Sequence, residues 1–287
     1  MATANKAKPE KTPLTKVEKQ RFGLGIVLSI LSGALLLLSF PPYGLWPLAW
    51  FACIPYLFAQ YRLMPLKWSS LAISLAMLVW LGPFLARMFG MDNGPFFYYL
   101  GVLIALLNFL ISKERRFHEM TGYRWFILFG VAGWVGFEMV RATFIPLVAT
   151  SAFIGYTQST QPWITQPVSI FSVYGLNIVM LLVNYALAQA LIGWSDRKMP
   201  VEGIPPVDSR LGRNGLLAAG VTLAVWLAIS LVSLSTAPKD MPSVRVAAIQ
   251  PGYDKPAFQD EINTSQIRLE AFAADARQAA GQGAKVI

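Results

Sequence analysis

Cysteine and histidine occur once each, as Cys53 and His118, and only 14% of the 287 residues are charged. One cysteine excludes a disulfide framework and leaves the redox compartment unreadable. One cysteine and one histidine in separate segments exclude both a zinc site and a Cys/His catalytic pair. The shortage of charge excludes an ordinary soluble domain, in which about 25% of residues carry charge. Cys53 lies in an apolar run between Ala52 and Ile54 with no base nearby in sequence, so it reads as a packed thiol rather than a nucleophile. His118 falls in the polar connector Lys113–Arg124 and reads as a solvated loop residue.

Apolar residues fill the space that charge leaves. They make up 55% of the chain, and the mean hydropathy is +0.49. They also cluster in blocks long enough to cross hydrocarbon, which takes roughly 17–25 helical residues. Seven such blocks are read as membrane-spanning helices: Phe22–Phe40, Leu45–Ala59, Trp68–Ala86, Pro95–Ile111, Trp125–Ile145, Val168–Ile192 and Leu216–Leu234. A tight Phe40-Pro41-Pro42-Tyr43-Gly44 turn joins the first two, and the uncharged linker Pro146–Pro167 joins the fifth to the sixth. Residues 1–21 read as a disordered basic arm. The first block is long and lacks a clear cleavage site after it, so it reads as a retained helix.

A formal net charge of +9 would suit a nucleic-acid binder, but the cations are placed otherwise. Lys6, Lys8, Lys11, Lys16, Lys19 and Arg21 precede the first block, and Arg62 and Lys67 follow the second. Lys113, Arg115, Arg116 and Arg124 fill the connector before the fifth, and Arg197, Lys198, Arg210 and Arg213 the one before the seventh. The alternate connectors hold only Arg87. Such a bias is a topology signal, and it excludes the nucleic-acid reading. It puts the N-terminus in the cytoplasm, and seven crossings then put everything after Leu234 on the other side.

That last segment differs in kind. Val244–Gln250 reads as a buried strand closed by Pro251-Gly252. Glu261–Ala280 reads as a helix with Ile262, Ile267, Leu269, Phe272 and Ala276 near one side, and Ala284–Ile287 begins a second strand. The order β-α-β implies a parallel sheet. So short a segment buries too little surface to stand as a domain, and the chain reads as cut short.

Several short motifs now fall into an order. Phe40-Pro41-Pro42-Tyr43-Gly44-Leu45-Trp46-Pro47-Leu48-Ala49 opens it, and Gly136-Phe137-Glu138-Met139-Val140-Arg141 follows. Gly155-Tyr156-Thr157-Gln158 comes next, then Val173-Tyr174-Gly175-Leu176 with Asn184, then Val246-Ala247-Ala248-Ile249-Gln250. Together they resemble the apolipoprotein N-acyltransferase family, bacterial inner-membrane enzymes that add the third acyl chain to lipoproteins. The resemblance covers nearly all of the chain after residue 21. Departures from the family pattern stand at Ala142, at Phe144-Ile145-Pro146-Leu147 and near Phe258.

The resemblance implies a fold and an activity. The fold is a membrane all-α bundle of seven transmembrane helices at 22–235, followed at 243–287 by the first part of an α/β nitrilase-like domain. The activity is transfer of an acyl chain from a membrane phospholipid to the N-terminal diacylglyceryl-cysteine of a lipoprotein, through a Cys thioester and without a cofactor. The family's catalytic Glu, Lys and Cys are expected after Ile287, so the chain alone is expected to be inactive.

Substrate-binding candidates are Glu138, Arg141, Tyr156 and Gln158. Glu138 and Arg141 stand three apart on one helix face, either as a structural ion pair or as a hold on the lipid headgroup. Tyr156 and Gln158 lie in the outer loop, where aromatics serve as interface anchors or line a lipid entrance. Phe96, Phe97, Tyr98 and Tyr99 read as an aromatic belt. Two other function classes fit parts of the sequence. A seven-helix transporter explains the spans but leaves the last segment idle, and a non-catalytic membrane scaffold explains an inactive chain.

Overall fold

The computed structural model describes residues 15–88, 101–103, 105–106, 113–144, 152–236, 244–249 and 261–286. Most of the basic arm, the Phe96–Tyr99 belt, most of the block at Pro95–Ile111 and Phe258 lie outside them. The chain divides into two compact units after Ser235. Among the described residues, five helices are long and apolar enough to cross a membrane: Lys16–Ser39, Leu66–Pro83, Phe126–Phe144, Val168–Lys198 and Ser209–Thr236.

Helix α1 (Lys16–Ser39) starts on a capping box, with Thr15 Oγ1 accepting from the Glu18 N–H while the Glu18 carboxylate takes the Thr15 N–H at 2.8 Å. Its buried stripe is small: Gly25, Ser29, Ser32, Gly33 and Leu36. A Cβ on Gly33 would stand 2.5 Å from the Ala76 carbonyl, so α1 lies directly against α3 (Leu71–Met88). Small residues permit that approach where lipid supplies no hydrophobic drive for helix association. Leu24, Val27, Ile30 and Leu31 remain exposed on α1, toward lipid in a membrane. The turn after α1 closes with the Gly44 N–H donating to Phe40 O at 3.0 Å, and Gly44 supplies the positive φ of 66° that it needs.

The block Leu45–Ala59, expected as a second helical span, is broken instead. It consists of a 3-10 turn (Trp46–Trp50), a short α2 (Ile54–Phe58) and a π turn (Ala59–Leu63), with another 3-10 turn at Leu66–Trp68. Pro47 and Pro55 cause this, because each removes a backbone donor. Neighbours take up the freed groups. Ser32 Oγ accepts from the Tyr56 N–H at 2.9 Å and donates to Ala52 O at 2.5 Å. Asn184 accepts from the Cys53 N–H at 2.9 Å and donates to Ala49 O at 3.0 Å.

Helices α5 (Phe126–Phe144) and α7 (Val168–Lys198) pack so closely that a Cβ on Gly130 would fall 2.1 Å from the Tyr185 ring. Helix α8 (Ser209–Thr236) is tied in by Trp226, whose indole N–H donates to Ile164 O of the short α6 (Pro162–Thr165) at 2.8 Å.

The basic connectors are locked together. Arg62 grips Asp196 through two bonds of 2.5 and 2.7 Å and donates to the Tyr123 hydroxyl at 2.9 Å. Asp196 also accepts the Val207 N–H at 2.8 Å. Arg115 caps the broken segment by donating to Gln60 O at 3.0 Å and Met64 O at 2.5 Å.

His118 corrects the expectation of a solvated loop residue. It sits on α4 (Glu114–Met120) at 1% exposure, ringed by Tyr61, Phe117, Phe126 and Phe129. A seven-residue helix tucks it under the start of α5, a tertiary contact that the polar composition of the connector conceals.

In the second unit, α9 (Glu261–Gly281) forms where the sequence placed a helix. The two expected strands reduce to one parallel bridge between Val246 and Val286, with the Lys285 N–H on Arg245 O at 2.9 Å and the Ala247 N–H on Val286 O at 3.0 Å. Among the described residues this bridge has no third strand beside it, and a single bridge extends no ladder.

Burial pushes the His118 pKa down to about 4, against a usual value near 6.5. A base with a depressed native pKa favours the fold above pH 6.5, and that contribution is lost as pH falls toward 4. The nearby Glu114 carboxyl, pushed up by burial, acts with the opposite sign, so the readout is a difference between proteins. Wild type should lose more thermal stability than His118→Phe over pH 6.5 to 4 in detergent. Parallel curves for the two proteins would refute this account.

Candidate functional site

The non-basic end of α5 carries Trp134, Glu138 and Arg141 at helical spacing. Glu138 is 2% exposed, and its carboxylate accepts from Trp134 Nε1 at 3.1 Å and from Asn177 Nδ2 at 2.5 Å. Asn177 lies on α7, and its Oδ1 accepts the Gly155 N–H at 2.8 Å. One side chain therefore joins α5, α7 and the segment 152–158. Ala at position 155 would not fit, because its Cβ would stand 2.5 Å from Asn177 Oδ1.

The segment 152–158 is a short 3-10 turn (Ile154–Gln158) held over the helix ends. Gln158 is fully buried. Its amide donates to Trp46 O at 3.1 Å and to Thr157 Oγ1 at 2.7 Å, and its carbonyl accepts from Trp50 Nε1 at 3.2 Å. These bonds fasten the loop to the broken hairpin segment and occupy the whole Gln158 side chain. Tyr156, in contrast, is 40% exposed and stacks on Phe153 with ring centroids 5.4 Å apart.

Arg141 sits between these groups. Its guanidinium lies 5.2 Å from the Phe153 ring centroid, in cation–π range, and Glu138, Tyr174 and Tyr156 are near enough to act on its charge. A cation resting on Phe153, with a buried carboxylate three residues before it on the same helix, suits an amphiphile with a phosphate and apolar chains. Two residues in positive-φ backbone border the cluster, Ala152 at 58° and Ser172 at 62°. Ser172 interrupts α7 near its start. Side-chain-bearing residues are rarely held this way, and such positions concentrate at functional sites.

The structure thus brings Glu138, Arg141 and Tyr156 together and gives Gln158 a bracing place beside them. Sequence reasoning missed Asn177 and Trp134, and it read Phe153 only as one of the outer-loop aromatics that serve as interface anchors or line a lipid entrance. The available signal was an amide inside an apolar span, since a polar side chain there needs a partner. Cys53 is fully buried in the broken segment, distant in role from this cluster.

Replacing Asn177 by Ala strips both Glu138 and the Gly155 N–H of a buried partner. The expected cost is about 1–3 kcal/mol of unfolding free energy in detergent, with faster proteolysis around residue 155. Wild-type stability in this variant would refute the bracing role.

Two comparisons bear on this arrangement. Residues 32–186 match the family described as the apolipoprotein N-acyltransferase N-terminal domain. The chain is also similar to an apolipoprotein N-acyltransferase of Geobacter metallireducens, 31% identical over 261 residues, covering 85% of this chain and 47% of that protein. It therefore spans about half the length of the curated relative it matches. No solved structure matches the chain. The matched region contains the hairpin segment, Glu138, Arg141, the loop at 152–158 and Asn177, and with its apolar helices the chain is a multi-pass membrane protein that belongs to the apolipoprotein N-acyltransferase family.

Proposed function

We propose that the chain is the membrane-embedded part of an enzyme that moves an acyl chain from a phospholipid to the N-terminal diacylglyceryl-cysteine of a lipoprotein. The family match over residues 32–186 carries this reading. The cluster on α5 supports it. Arg141 and Tyr156 would contact the headgroup of the donor, with Glu138 and Gln158 positioning them. The phosphate prefers a guanidinium, which offers paired donors at a fixed spacing. Aromatic side chains around it favour the depth where headgroup meets chain.

The reaction of the family, an attack by a thiolate on an ester to give a thioester, needs an activated nucleophile and a base within hydrogen-bond reach. Cys53 offers neither, being fully buried within the hydrophobic core. These 287 residues alone should not catalyse acyl transfer. The reactive groups belong to the nitrilase-like domain that Val244–Val286 is proposed to begin. That domain lies outside the inner membrane's cytoplasmic face if seven crossings are made with the N-terminus inside. A transporter reading explains less, since the motifs concentrate on one cluster rather than along a path.

Two measurements test this reading. Incubated with phospholipid and a diacylated lipopeptide, the purified chain should give no N-acylated product, and turnover above a blank would overturn the proposed division of labour. A reporter fused after Ser235 should be found outside the cytoplasm, and cytosolic reporter activity would sink the proposed orientation.

A further inference from the structure

The connector before α8 carries cations that neither the fold nor the proposed activity uses. Arg197 stands at the end of α7, and Arg210 and Arg213 stand in the first turns of α8. They surround a cleft of about 320 Å³ between the two helices. Its floor is made of small residues. A Cβ on Gly212 would lie 3.0 Å from Ala190 Cα, so the helices touch there and the cleft opens beside the contact. The Ser209 hydroxyl belongs to its lining, and Leu216 ends it on the apolar side.

All three guanidinium-bearing residues are exposed, and neither of the ion pairs Arg62–Asp196 and Arg115–Glu119 involves them. The adjacent carboxylate of Asp208 accepts the Arg210 backbone N–H at 2.8 Å. Trp194, half exposed on α7, marks the level of a membrane interface. Three forked cations around a concave surface that continues into a lipid-facing wall select a phosphate carrying an apolar chain.

We propose that this cleft binds an anionic phospholipid from the leaflet that the basic face of the bundle meets. Arg197, Arg210 and Arg213 hold the phosphate, and an acyl chain runs past Leu216. The site lies twenty residues along α7 from Asn177, about 30 Å at 1.5 Å per residue, so it is separate from the α5 cluster and does not rest on the proposed activity.

The test titrates the purified 287-residue chain with phosphatidylglycerol, phosphatidylethanolamine and inorganic phosphate, reading bound lipid by native mass spectrometry. Phosphatidylglycerol should bind as a single tight copy, ahead of phosphatidylethanolamine. The R197Q/R210Q/R213Q variant should weaken it by at least about tenfold. A control that removes equal charge from the same face, K113Q/R116Q/R124Q, should leave it unchanged.

Equal losses in both triple variants would reduce the effect to general surface charge and overturn the site. Displacement by millimolar inorganic phosphate as readily as by added lipid would overturn the lipid in favour of a free anion. Should the first triple variant aggregate, R213Q alone, monodisperse by gel filtration, decides by whether its lipid affinity falls.

Discussion

Backbone groups that leave regular helix within a bilayer find no water, and each must be satisfied from inside the protein. The described bundle answers this constraint largely with one helix. Four buried polar side chains on α7 each hold an irregular segment: Asn177 the loop at Gly155, Asn184 the broken segment at Ala49 and Cys53, Gln189 the Tyr123 carbonyl, and Asp196 the Val207 N–H. They form two pairs, each seven residues apart, and residues at that spacing share a face. The apolar positions between them pack α5 and the hairpin, and the polar positions decide where the chain is allowed to be irregular.

Hydropathy made the five long helices legible, because a span is written in side chains that dissolve in lipid. It misread the segment Leu45–Ala59 for the same reason. A sum over side chains does not register that Pro47 and Pro55 withhold donors, nor that Ser32 and Asn184 stand ready to compensate. His118 escaped notice because polarity of a connector describes its composition, while burial is decided by partners outside it, here Phe126, Phe129 and the sequence-distant Tyr61. The pair Glu138 and Arg141 was visible from charge inside an apolar run. Their partners were not, since an asparagine at 177 carries no spacing signature that points to Glu138 or Gly155.

The α5 cluster combines a stiff interior with an open edge. Inward, the Glu138 carboxylate is fixed by two donors, and Gln158 is spent entirely on bracing. Outward, Arg141 rests on Phe153 while Tyr156 remains partly exposed. A buried carboxylate behind a cation limits the cation's movement and balances its charge, which allows a guanidinium to be kept at membrane depth at modest cost. The positive-φ backbone at Ala152 and Ser172 suggests that the loop is held in place by these contacts rather than by its own preferences.

The spacing of the polar residues on α7 has a consequence for how this sequence can change over time. A helix rotates about 100° per residue, so exchange of one aliphatic side chain for another leaves every hydrogen-bonding register intact. Loss or gain of a single residue between Asn177 and Asp196 would instead turn one pair away from its targets, stranding the chain segments it serves. The length of this helix is thus under tighter constraint than its composition, and drift in the lineage should be written there as substitution and almost never as a gap.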